Sequence, residues 1–411
     1  MTQFSNLINH LAEQYYNPAV HFAQKLIKTP SLPGEEQEIA EEVLQEFNQI
    51  NIFDNVYQDS IGNVIGQIQG RKSSPHVILN GHLDHVAPGE IVEWSYPPYS
   101  GKYDKNKIWG RGSVDMKCSL STMLYGVKCW TKVALREKIE FGPILIIFVV
   151  QEELQEGWAF RKFLDSIPRP DLVILGEPSN LKLAYGHRGR AEVKIICKGQ
   201  TAHASMPEKG INAVNDAAKL ITAISQDNSL LLEEQVLGKE TIACTQISCS
   251  PGNGPIIPDR AQLIIDFRIV SGDTPEMILE RIQTLIDRLN QKNQLRGEVN
   301  IDLLHEKLQT YRGYSDEVIR YFPAWYIDPT SKVIQRAIQA LYSALGHSVI
   351  PTVWQFSTDG IESAGYRNIP TLGFGPGNEE LAHRPNENVE VAQISPAISG
   401  IAHLLSEFTI S

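Results

Sequence analysis

Four apolar runs in this chain end the same way, at a histidine or a carboxylate. "VILNGHLDHV" (77–86) delivers His82 and Asp84, and "ILIIFVVQEE" (144–153) delivers Glu152 and Glu153. "DLVILGEP" (171–178) delivers Glu177, and "IPTLGFGPGNEELAH" (369–383) leads through a glycine-rich loop to His383. Short unbroken runs of Val, Ile and Leu read as strands buried on both faces, which is the pattern of a largely parallel sheet covered by helices. In an open α/β sheet, ligands bind in the crevice beyond the strand C-termini. Polar groups gathered there by coincidence would be a poor explanation.

Between these runs lie helix-period segments such as "CSLSTMLYGVKCW" and "GWAFRKFLDSI". The α/β pattern changes near residue 187. From there the order is strand "AEVKIICKG", helix "INAVNDAAKLITAISQ", strands "TIACTQISCS" and "AQLIIDFRIV", helix "TPEMILERIQTLIDRLN" and strand "EVNIDLLHE". This βαββαβ order is that of a ferredoxin-like unit. Helix and strand patterns resume after about residue 312. The expected architecture is therefore a larger α/β domain, a mixed sheet flanked by helices over 1–186 and 312–411, with the small unit (187–311) inserted as a lid or dimerisation domain. "LQTYRGYSDEVIRYFPAWYIDP" gives no legible pattern.

Composition narrows the function classes. A net charge of −11, with 48 acidic against 37 basic residues and no Lys/Arg-rich block, argues against a nucleic-acid or anionic-membrane partner. No apolar run nears the ~20 residues of a membrane-spanning helix, and the amphipathic N-terminus lacks the pattern of a signal peptide. Five scattered cysteines, an odd number without a C-x-x-C pair, fit reduced packing thiols in a cytoplasmic protein.

In a strand, His82 and Asp84 share a face, a spacing that suits an imidazole ligand oriented by a carboxylate. An isolated H-x-D could equally bond a loop. Asp115, in "WGRGSVDMK", follows a glycine turn and precedes a helical segment, where an acid can also serve as an N-cap. Glu152 and Glu153 at the end of a buried strand demand counter-charge unless the loop is exposed. Together, two imidazoles, three carboxylates and one further glutamate match the needs of a pair of metal ions sharing a bridging carboxylate.

Taken in order, these motifs resemble the co-catalytic zinc aminoacylase and carboxypeptidase family, which includes acetylornithine deacetylase, succinyl-diaminopimelate desuccinylase and glutamate carboxypeptidase. The resemblance spans nearly the whole chain. The wording "FSTDGIESAGYRNIPTLGFGPGNE" is closest to a branch linked to selenium and purine metabolism.

The resemblance implies two Zn²⁺ per subunit, with Co²⁺ or Mn²⁺ as alternatives. His82 and Glu177 would hold one ion, Glu153 and His383 the other, and Asp115 would bridge them. Asp84 would orient His82, and Glu152 would be the general base. The bond after Asp115 is expected to be cis. "GQTAHASMPEKGINA" resembles the segment carrying the family's transition-state histidine, here His203, which in dimeric relatives reaches the neighbouring subunit. A homodimer through the inserted unit is expected.

Arg268 would clamp a substrate carboxylate, and the loop amides at Gly375 and Gly377 would line the same pocket. One departure stands out: many relatives carry Asn where this chain has Pro255. The implied activity is hydrolysis of an N-acyl amino acid or similar small carboxylate. A dipeptidase or carboxypeptidase is the alternative, and a non-catalytic metal- or ligand-binding relative is a second one.

Overall fold

The computed structural model describes residues 4–74 and 76–410. At its centre the strands Ile144–Val149, Val77–His82, Leu172–Leu175 and Thr371–Gly373 lie side by side in that order, all parallel. Every residue in these four strands is buried, as expected for a sheet covered on both faces. Each buried Val, Ile or Leu side chain contributes about 1.5–3 kcal/mol. Antiparallel strands extend the sheet at both ends: Asn55–Gln58 and Val64–Ile68 beyond Ile144–Val149, and Leu183–His187 beyond Thr371–Gly373. The α/β class holds, and the sheet is mixed.

The long helix Cys118–Glu137 packs against the closing helix Ile394–Ile410. Gly126 permits this approach, because a Cβ there would sit 2.5 Å from the Ile401 side chain. Trp130 Nε1 donates to Thr409 Oγ1 at 3.1 Å across the same seam.

A second, separate core lies between Ala191 and Leu303. Its sheet runs Thr241–Ser250, Arg260–Ile269, Gly189–Lys198, Glu298–Leu303, with all pairs antiparallel. The helices Ala213–Gln226 and Pro275–Gln291 complete the βαββαβ order. Strict alternation of burial along Gly189–Lys198 puts Ala191, Val193, Ile195 and Cys197 into this core. Thr241–Ser250 forms the sheet edge and is exposed along almost its full length.

The illegible segment forms a hairpin, His305–Gln309 with Ser315–Ile319, whose turn contains the expected boundary at residue 312. Leu308 and Val318 join the larger core, so core membership changes between Leu303 and Leu308. Two short strands follow. Tyr321–Phe322 pairs with the small sheet and Trp325–Tyr326 with the large one, beside the Leu183–His187 to Gly189–Lys198 crossing.

Candidate metal centre

The parallel strands all discharge at one edge of the large sheet. Register pairs His82 with Val149 and Asn80 with Leu175, so His82, Glu152–Glu153 and Glu177 leave three neighbouring strands at similar height. Two buried glycines make the packing possible. A Cβ on Gly81 would meet Met116 and Leu120 at 2.8 Å, and one on Gly375 would meet the Gly176 carbonyl at 2.4 Å.

Asp115 sits at the middle of the cluster. Its Oδ1 lies 3.0 Å from His82 Nε2 and its Oδ2 lies 3.1 Å from His383 Nε2. His383 Nε2 also lies 3.1 Å from Glu153 Oε2, and His82 Nε2 lies 3.8 Å from Glu177 Oε1. Ligand atoms of His82, Asp115 and Glu153 fall within 4.8 Å of one another. His82 is buried and His383 is half exposed (51%), which leaves one side open to solvent. The Asp115–Met116 bond is cis.

The carboxylates of the cluster outnumber the basic groups that face them. Among the described residues only the two imidazoles ion-pair with Asp115, Glu153 or Glu177. Burial, and then the repulsion of neighbouring carboxylates, pushes Glu152 and Glu177 well above the usual carboxyl range, although His82 opposes the shift. Burial also works against ionisation of Asp115, but hydrogen bonds from His383 and His82 outweigh it and hold that carboxyl well below its ordinary value. Burial would lower His383, yet the bonds to Asp115 and Glu153 raise it to about 11. Protons on the imidazoles thus supply charge that a bound cation would otherwise provide, and metal binding releases such protons. The donor set, imidazole nitrogen and carboxylate oxygen with an open side, suits divalent zinc.

The Asp84 carboxylate, expected to orient His82, is used differently. His82 Nδ1 donates to the backbone oxygen of Asp84 at 3.0 Å, while the Asp84 carboxylate is 3.7 Å away. That carboxylate instead accepts the amides of Glu152 (3.2 Å) and Glu153 (3.0 Å). Asp84 therefore ties the His82 strand to the turn bearing both glutamates.

His203 is exposed, and none of its hydrogen bonds among the described residues reaches the cluster. Its Nδ1 accepts the Ser205 amide at 3.1 Å. The Pro255 carbonyl accepts the Ala204 amide at 2.8 Å and so holds the His203 loop.

Three expected pocket residues are engaged elsewhere. The Gly375 amide donates to Ser179 Oγ (3.1 Å) and the Gly377 amide to Gln393 Oε1 (2.6 Å), so neither amide is free for a ligand. Arg268 Nε donates to Asp266 Oδ1 two residues away on its own strand, at 2.9 Å. A cleft of about 720 Å³ between the two cores, lined by Trp158 and Tyr321 among others, contains none of the cluster residues.

Glu387 was not among the residues expected from the sequence. Fully buried, it accepts the amides of Gly112, Val114 and Asp115 and pairs with Arg111, which clamps the loop presenting Asp115. Burial raises its carboxyl to about 7 despite Arg111. Its spacing of four residues from His383 was the available hint.

A strand-end cluster of imidazoles and carboxylates on this fold defines a metal-dependent hydrolase. The comparisons agree: a family model described as peptidase family M20/M25/M40 matches residues 78–407. The chain belongs to that family. It is 28% identical over 383 residues to the uncharacterized protein YgeY of Escherichia coli K12, covering 93% of this chain and 92% of that one. It is 26% identical to acetylornithine deacetylase of Buchnera aphidicola, covering 81% and 80%. In fold it is similar to the Bacillus subtilis YXEP protein, a dinuclear metal-binding M20 peptidase (TM-score 0.70, 15% identity, 96% and 98% covered). No helix among the described residues is long and apolar enough to cross a membrane.

Proposed function

We propose that the protein is a di-zinc amidohydrolase that cleaves the amide of an N-acyl amino acid or similar small carboxylate. The observation carrying this reading is Asp115, whose two oxygens each face a different histidine. His82 and Glu177 would hold one ion, Glu153 and His383 the other, with Asp115 between them. Bound zinc would polarise the scissile carbonyl and lower the pKa of a water. Co²⁺ or Mn²⁺ would fit the same donors.

Glu152 accepts the water's proton as general base and returns it to the leaving amine. Its buried position beside the cluster, with no ion pair to a basic side chain among the described residues, supports that role. His203 Nε2–H stabilises the developing oxyanion. Because His203 is exposed and none of its hydrogen bonds among the described residues reaches the cluster, we assign that contact to a second copy of the chain, paired through the exposed edge Thr241–Ser250. Arg268 remains the proposed carboxylate contact, through the guanidinium nitrogens not used by Asp266. Five free thiols suit a reducing compartment, and we assign the enzyme to the cytoplasm.

A dipeptidase is the second reading, supported by the fold similarity to an M20 peptidase. Zinc-loaded protein would be screened against N-acetyl, N-succinyl, N-formyl and N-carbamoyl amino acids beside dipeptides, following amine release. Release from the acylated amino acids alone is expected. Release from dipeptides alone would favour the second reading, and no release from either would refute both.

A further inference from the structure

The turn that carries Glu152 and Glu153 is held by three consecutive amides, and only two of them are accounted for by Asp84. The third belongs to Gln151, which adopts a left-handed conformation with φ of 62°. That is an unfavourable region for a residue with a side chain and persists only where neighbours enforce it. Its amide donates to Glu36 Oε1 at 3.0 Å. Successive N–H groups in such a turn form an anion-binding concavity. Here two buried carboxylates from elsewhere in the chain fill it.

Glu36 lies far from this turn in sequence, at the start of helix Gln37–Ile50, and its side chain is fully buried. It ends a loop, residues 29–36, whose other end is fastened to the His82 strand. There Ser31 N donates to His85 Nε2 (3.0 Å), His85 N donates to the Ser31 carbonyl (3.0 Å), and Ser31 Oγ donates to the Leu83 carbonyl (2.8 Å). The loop therefore braces two strand tails at once, one carrying His82 and the other Glu152–Glu153. Helix capping does not explain a buried acid at this point, since Glu36 makes no side-chain cap bond.

We propose that Glu36 is a positioning residue: its carboxylate fixes the Gln151 turn and so aims Glu152 and Glu153 at the centre. The inference rests on the role assigned above to those two glutamates, but its structural half can be tested without a substrate. Glu36→Gln keeps an oxygen acceptor at the same reach, whereas Glu36→Met keeps the bulk and removes the acceptor.

Both variants are compared with the wild type as zinc-loaded full-length protein, by hydrogen–deuterium exchange of peptides covering 149–157, bound-metal stoichiometry and kinetics. In Glu36→Met, exchange at residues 151–153 should rise about 10-fold or more, with the overall fold retained. With a working substrate, its kcat should fall about 10-fold or more while KM moves far less. Glu36→Gln should stay near wild type in both readouts. Unchanged exchange in Glu36→Met would overturn the proposal, as would equal loss in the two variants. If no amide is hydrolysed even by the wild type, the functional reading fails while the exchange contrast still decides the role of Glu36.

Discussion

The Asp84 carboxylate and the Glu153 amide stand 3.0 Å apart, joining the end of one parallel strand to the end of its neighbour. Through this bond, and the matching one to Glu152, the turn bearing the two glutamates is tied to the end of the His82 strand.

Asp115 should be indispensable for metal. Asp115→Ala removes the one carboxylate that, among the described residues, pairs with both histidines, and elemental analysis should find a loss of bound zinc from about two ions per chain. Circular dichroism should show a folded protein. Full metal content in the variant would refute the bridging assignment.

Glu152→Gln should separate binding from chemistry. Metal content stays at the wild-type level and turnover falls about 10²-fold or more, since a neutral amide cannot take the proton. Wild-type rates would exclude Glu152 as the base.

The proposed pairing through the edge strand would link assembly to activity. Ile247 is 56% exposed on that edge, and Ile247→Asp would bring like charges together across a two-fold pairing. Light scattering should shift from dimer to monomer, with turnover lost together with it and zinc retained. An active monomer would show that His203 acts within its own chain or not at all. His203→Ala should itself lower kcat by roughly 10²–10³ without altering metal content.

Acid should destabilise the fold through two buried histidines remote from the centre. Burial depresses His187 to about 4 and His403 to about 4, although each ring donates to a backbone carbonyl. The unfolded chain binds these protons near pH 6.5 and the folded chain does not. Stability is therefore present above about pH 6.5 and is lost as pH falls toward 4, by about 1.4 kcal/mol per pH unit for each proton. Urea melts of wild type and His403→Asn across this range would check the sign, with a shallower slope expected in the variant.

Much of the centre was legible because strand ends announce themselves. A buried apolar run that stops at His82, Glu152 or Glu177 reveals both the sheet and the edge where it discharges. The hairpin His305–Ile319 was not legible, because it is mostly polar and only Leu308 and Val318 face the core. Gly375 and Gly377 looked like ligand amides because a glycine loop before a histidine resembles one. Their partners, Ser179 and Gln393, are distant in sequence and come close only in the fold.

Local pattern alone determined the α/β class, the order of elements and the identity of the groups at the strand ends, because burial and strand periodicity are written into short stretches of chain. Only the tertiary structure decided that Glu36 and Glu387 brace the centre, that Asp84 holds two amides, and that His203 is exposed. Those facts depend on contacts between segments far apart in the chain, and no local periodicity encodes which distant acid meets which amide.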